Sequence, residues 1–293
     1  MDNEADDAEY RFQLAANAAR NLARQCRLHV VRVMERISDR IERAPATSAC
    51  GEDMARARAG DHATLFGQRL IHLEAQNNAL IDHLSGLETL LSSDPIHPLA
   101  AVSVVRSVAE ISASVAWEVA VDVSADQRAA RSCATAFRSL QTTIDQLEEP
   151  ASSEVRKKRE DFVAFLNRQG YRVVRRERGG VAYEEVAQVK IGREYAKTRF
   201  QISARVSEEI PAIGSMYGAL SSLVHGDTSF LSATYSHPDM APRSAGNVAY
   251  RSVETWSNAI HRWTGATSPR FVNDRDLLAL RTSMGREERI GDN

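Results

Sequence analysis

Lysine is nearly missing from this chain. Of 37 basic residues only Lys157, Lys158, Lys190 and Lys197 are lysines, and the remainder are arginines. Such a bias reflects a GC-rich coding sequence as readily as selected phosphate chemistry, so the arginine count alone carries no functional weight. Cysteine is scarce too. Cys26, Cys50 and Cys133 are odd in number, far apart and free of any C-x-x-C pairing, which excludes a disulfide framework and a structural zinc site. The formal net charge of −2 removes any global electrostatic argument for nucleic acid or an acidic membrane surface. No stretch reaches the ~18 uninterrupted apolar residues of a membrane span. Residues Met1 to Asp7 carry acids rather than the apolar core of a secretory signal. A cytoplasmic protein with no membrane partner is the expectation. The familiar catalytic signatures are absent as well: no P-loop, no G-x-G-x-x-G after a strand, no H-E-x-x-H, no G-x-S-x-G and no E-x-x-H pair. Neither a cofactor nor a metal is expected.

What is present is helical periodicity. From Tyr10 to about Arg43, apolar residues including Phe12, Ala19, Cys26, Val33 and Ile41 recur every three or four positions, as one amphipathic helix requires. The segment from Pro45 to Gly60 is rich in Ala, Gly, Ser and Thr and reads as a loop. A second helix, Asp61 to Ser92, has a seam of Phe66, Leu70, Leu73, Asn77, Leu80, Leu84, Leu87 and Leu91 with coiled-coil spacing, in which the single polar Asn77 is suited to fixing register. His72 and His83 share a face of it without any carboxylate or thiol at ligand spacing, and read as solvated. Pro98 suits the first turn of a third, nearly all-apolar helix running to about Val121. Ser124 and Gln127 form a capping-box pattern for a fourth. A charged fifth helix, Ser153 to Gln169, ends at Gly170, and Val-rich alternation around Gly179 and Gly180 predicts a β-hairpin. Further helices are expected over Ser207 to Val224, with Pro211 in the first turn, over Ala245 to Trp263 and over Asp274 to Thr282, with a loop across 227–244.

Two groups of residues carry candidate chemistry. Arg106 and Glu110, four apart, meet on one helix face that Ala113 and Trp117 continue, while Tyr217, Ser221 and His225 stack along another, ending in an imidazole at a helix C-terminus. A guanidinium, a carboxylate, hydroxyls and an imidazole converging on one pocket would suit phosphate chemistry; the same residues also suit a buried polar network that avoids lone charges. The second group is a basic run in which Arg156, Lys157, Lys158, Arg159, Arg172, Arg175 and Arg176 outnumber nearby acids, as a phosphate-binding surface or as a solvated helix and hairpin.

The stretch His97-Pro98-Leu99 with Arg106, Glu110 and Trp117, followed by Tyr217 to Gly226, resembles a group of helical proteins from high-GC bacteria that is similar to the HEPN superfamily of helical nucleases and nucleotide-binding proteins. The resemblance implies a dimer and an RNA- or nucleotide-directed activity, in a defence or toxin setting. Catalytic members place an arginine four to six residues before a histidine, the first holding phosphate charge and the second acting near the scissile bond. His225 has no arginine at that distance. Arg24 with His29 and Arg56 with His62 do match, but eight histidines among so many arginines give roughly three such matches by chance.

The sequence thus predicts an all-α bundle of about seven helices with a small β-hairpin insertion. It spans 8–285 as a single domain, with 167–200 as the inserted hairpin and loop and with flexible tails at 1–7 and 286–293. Arg106, Glu110, Tyr217, Ser221 and His225 are the candidate catalytic residues, and a homodimer through the Leu84 to Leu91 seam is expected. The function expected is RNA or nucleotide binding or processing, against the alternative of a non-catalytic helical interaction module.

Overall fold

The apolar periodicities build helices along most of the chain. The computed structural model describes residues 2–59, 63–179, 181–224, 227, 232 and 236–282. Four long helices form a ring in which each packs on the next: α1 (Asp2–Met34), α4 (Ala63–Leu90), α5 (Pro98–Glu118) and α10 (Met240–Thr264). Leu80, Leu84, Val105, Val253, Trp256 and Ile260 are among the side chains that fill its interior with no exposure. Each such apolar side chain contributes about 1.5–3 kcal/mol when buried. Helix α1 approaches α10 closely. A Cβ at Gly246 would stand 2.9 Å from both Cα and Cβ of Ala19, so only glycine lets the two backbones come this near.

A second core lies beside the ring. Helices α6 (Ala125–Gln146) and α7 (Ala151–Arg168) pack together and against a three-stranded antiparallel sheet, with Cys133, Phe137, Leu166, Val189 and Ile191 inside. The strands β1 (Arg172–Arg178), β2 (Val181–Ile191) and β3 (Glu194–Lys197) run in sequence order. The predicted hairpin is therefore present but gains a third strand, made possible by the turn at Gly192, whose φ of 59° lies in the left-handed region.

Elsewhere the structure revises the expected elements. The first helix ends at Met34, because Arg36 leaves helical geometry (φ −111°, ψ 2°) before the short α2 (Ile37–Glu42). The expected loop after Pro45 contains α3 (Ala49–Arg58). Ser48 caps it, its hydroxyl accepting from the Gly51 amide at 3.0 Å, and Gly51 lies so close to the Pro45 carbonyl that any side chain there would collide. The helix expected from Ser207 is divided into α8 (Ile202–Glu209), a 3-10 turn at Pro211–Ile213 and α9 (Gly214–Val224), since Pro211 starts a new turn rather than continuing the old one. Residues 240–244, expected in the loop, are already helical, because Pro242 falls in the first turn of α10, where its missing amide hydrogen costs nothing. The α11 helix (Asp274–Thr282) stands where the sequence placed it, packed on α1.

The seam of α4 is an internal one. Leu84, Leu87 and Leu91 are buried within the chain's own core, and the seam therefore offers no face to a second copy. Asn77 has a different role from setting register: its Oδ1 accepts from the Trp256 indole nitrogen at 2.8 Å. Among the described residues α5 is the one helix long and apolar enough to cross a membrane by length and composition, and half of that stretch is buried in this fold.

Between the two cores lies a charge network. The Asp53 carboxylate of α3 accepts from Arg128 Nε of α6 at 3.0 and 3.1 Å, from Arg69 of α4, and from the Trp263 indole of α10 at 2.9 Å. Arg128 also donates to the carbonyls of Ala49, Ala120 and Val123 and pairs with Glu52 at 2.5 Å, so its donors are taken up without solvent.

Removing the acceptor from Trp256 should cost stability by the amount of a stranded buried donor. Asn77→Ala is expected to lower the unfolding free energy by about 1–3 kcal/mol in urea titration while leaving the solution mass unchanged. An unaltered urea midpoint would show that this bond contributes nothing.

Candidate functional site

Helix α5 presents Arg106 and Glu110 on the face that α9 covers. Tyr217 of α9 reaches across and its hydroxyl donates to Glu110 Oε1 at 2.5 Å, while Arg106 Nη2 stands 3.5 Å from the same hydroxyl and 3.7 Å from the carboxylate. The guanidinium carbon lies 5.4 Å from the centre of the Tyr217 ring, a cation–π distance. Burial, and then the bond to Glu110, push the Tyr217 phenol up to about 12, so it serves as a proton donor at neutral pH and not as a base. The side chains of Arg106 and Glu110 retain 17% and 35% of their exposure, and the trio is therefore open at one side rather than sealed. Ser221 stands one turn further along α9 and is part-buried. His225 lies outside the described residues. Three of the five predicted site residues thus meet, with a guanidinium able to hold an anion beside a carboxylate able to accept a proton.

The basic run is differently disposed. Arg159 is buried and donates to Gln141 at 3.0 Å and to Glu184 at 3.0 Å, with Glu160 beside it. Arg156 pairs with Glu149, Arg175 with Glu160, and Arg176 with Glu185. Lys157, Lys158 and Arg172 are exposed. This surface belongs to α7 and β1, which pack on each other, and α7 also packs on α6.

A cluster that the sequence reading missed continues the α5 face past Glu110. Trp117 of α5 and Phe200 lie 5.9 Å apart, and the Arg205 guanidinium of α8 sits between them, 3.6 Å from the first ring centre and 3.1 Å from the second. Arg131 of α6 lies 4.8 Å from Trp117 and Arg138 lies 4.0 Å from Phe200. Arg131 and Arg138, seven apart, share a face of α6, which was legible in the sequence; Phe200 and Arg205 come from a segment with no periodic pattern, which was not.

The remaining polar groups are closed off. His29 donates to or accepts from Ser257 at 2.7 Å, and burial pushes it down to about 4, so the Arg24–His29 spacing does not mark a phosphodiester site. His62 lies outside the described residues. All three cysteines are buried, with the thiols of Cys50 and Cys133 pushed up to about 12 by burial, which leaves them unreactive. Among the described residues no group of three His, Cys, Asp or Glu side chains is placed to hold a metal ion. No known protein family, curated protein or solved structure matches the chain.

Glu118, next to Trp117, has no exposure and accepts from Gln76 at 3.2 Å and from Ser132 at 3.4 Å. Burial raises its carboxyl from the usual value near 4.5 to about 7. A carboxyl whose folded value lies above its unfolded one binds more protons when folded, so its contribution is complete below about pH 4.5 and is lost as pH rises to about 7. The difference corresponds to about 3 kcal/mol. Glu118→Gln is therefore expected to melt above wild type at pH 8, with the gain shrinking toward pH 5. A difference in melting temperature that does not change with pH would contradict this.

Proposed function

We propose that the chain is a HEPN-like helical protein that binds or processes RNA or a nucleotide on the α5–α9 face, in the cytoplasm and in a defence or toxin setting. The observation that carries this reading is the meeting of Arg106, Glu110 and Tyr217 at a partly open surface. Arg106 is a fixed positive charge for a phosphate oxygen. Glu110, held by the Tyr217 hydroxyl, is the group that accepts a proton from an attacking hydroxyl. Ser221, on the same face of α9, adds a hydroxyl, and His225 follows it four residues later in the sequence.

The second reading, a non-catalytic interaction module, is favoured by a different observation: Arg156, Arg159, Arg175 and Arg176 already have carboxylate partners in the chain, so the basic run supplies fewer free charges than its composition suggests.

End-labelled oligoribonucleotide cleavage and fluorescent RNA and nucleotide binding separate the two. Wild type is expected to bind or cut, with Arg106→Ala and Glu110→Gln each losing about tenfold or more while melting within a few degrees of wild type. Wild-type protein that neither binds nor cuts RNA and binds no nucleotide would leave the interaction module standing.

A further inference from the structure

The arginines around Arg205 form no ion pair among the described residues. Arg205 is 5% exposed, and its Nη1, like Nη1 of Arg138 and Nε of Arg131, is buried with no hydrogen-bond acceptor among the described residues. Glu118 and Glu209 act on Arg205 from a distance, Glu209, Asp122 and Glu194 on Arg131, and Glu110 on Arg138, yet no ion pair joins any of these three arginines to a carboxylate among the described residues. Burial, and next the neighbouring charge of Arg138, pull the Arg205 guanidinium down to about 9. It is still charged at pH 7. Aromatic faces offset part of the desolvation, but three cations around two rings repel one another, and a bound anion removes that cost.

Two members of the cluster, Arg138 and Phe200, line a cavity. Arg138 and Phe200 form one end of a cleft of about 530 Å³ between α6, β2 and the segment 198–201, within the size range of small-ligand sites. Gln141, Thr142, Gln201 and Asp145 supply polar groups along its walls.

We propose that this cleft binds a small phosphate monoester, with the phosphate on Arg138 at the end of the arginine–aromatic cluster and the hydroxyl-bearing part along Thr142, Gln141 and Gln201. A phosphate monoester carries close to two negative charges at pH 7; Arg138 is the member of the cluster that lines the cleft, and the charges of Arg205 and Arg131 add to it at longer range. A small ligand fits better than a polymer. A nucleic-acid strand needs a row of free cations to follow, whereas the adjoining Arg159, Arg175 and Arg176 and, on the cleft wall, Arg199 are ion-paired. The proposal does not rest on the Arg106 reading, although Glu110 of that site acts on Arg138 from a distance.

Calorimetric titration with inorganic phosphate, ribose 5-phosphate and ribose at constant ionic strength tests the proposal. Wild type should bind ribose 5-phosphate saturably, phosphate more weakly and ribose not at all. Arg138→Met, which keeps an apolar contact with Phe200, should weaken ribose 5-phosphate about tenfold or more, as loss of one charge-assisted contact does. Thr142→Trp, at an exposed position of α6, should block the cleft and serves if Arg138→Met does not fold. Absence of saturable binding of both phosphate compounds, or equal affinity in wild type and the cleft variants, would overturn the site. Tighter binding of a short oligoribonucleotide than of ribose 5-phosphate, lost in the same variants, would overturn the small-ligand assignment.

Discussion

A buried carboxylate, Asp53, holds two arginines and an indole at the place where the helical ring meets the second core. Its partners come from α4, α6 and α10, so a single side chain on the short α3 is bonded to three elements that are far apart in sequence. Burying one charge alone is prohibitive, and burying a pair breaks even only when every remaining donor finds an acceptor. Arg128 meets that condition through the carbonyls of Ala49, Ala120 and Val123, and Arg69 through Ser132 at 3.0 Å. The α5–α6 turn and the start of α3 are therefore positioned by the same guanidinium. Its geometry fixes how α6 lies against the ring, and α6 in turn carries the second core and the sheet.

The contrast with the Arg205 cluster follows from the same physics. Both are arginine groups that stand between helices, but one has its acceptors built in and the other relies on aromatic faces and distant carboxylates. A fully satisfied network stabilises one arrangement of the fold; a cluster with uncompensated positive charge is where a ligand's charge has most to contribute. Between them on α5 stand Glu118, raised by burial to about 7, and Trp117. The long apolar helix that forms the core thus also presents, on one face, Arg106, Glu110 and Trp117 in turn.

Much of the helical layout was legible because seam spacing is a direct imprint of burial: the inward Trp256, Ile260 and Trp263, the cap at Ser124 and the stop at Gly170 stand as expected. The α3 helix was not, since Ala, Gly and Ser between two longer helices carry no seam, and its structure depends on Ser48 as a cap and on contacts with Arg69, Arg128 and Trp263. Spacing also cannot say what a polar seam residue meets, and Asn77 meets an indole of the same chain. Of the candidate site, the pairing of Arg106 with Glu110 was legible from an i,i+4 interval. The approach of Tyr217 and Arg205 from over a hundred and about ninety residues away, respectively, was a matter of tertiary packing. The ion pairing of the basic run was not legible for the same reason, because its carboxylate partners Glu149, Glu184 and Glu185 come from neighbouring elements.

The central claim is that Asp53 joins the ring and the second core into one cooperative unit. Trp256 and Trp263 report on the first, and Trp117 packs against the second. Urea unfolding of Asp53→Asn, followed by tryptophan fluorescence in single-tryptophan backgrounds, tests it most directly. Wild type should show coincident transitions for all three reporters. The variant, with Arg69 and Arg128 left without their shared carboxylate, should unfold at lower urea by the equivalent of about 3 kcal/mol or more, with the Trp117 transition separating from the other two. Coincident transitions at the wild-type midpoint would contradict the account.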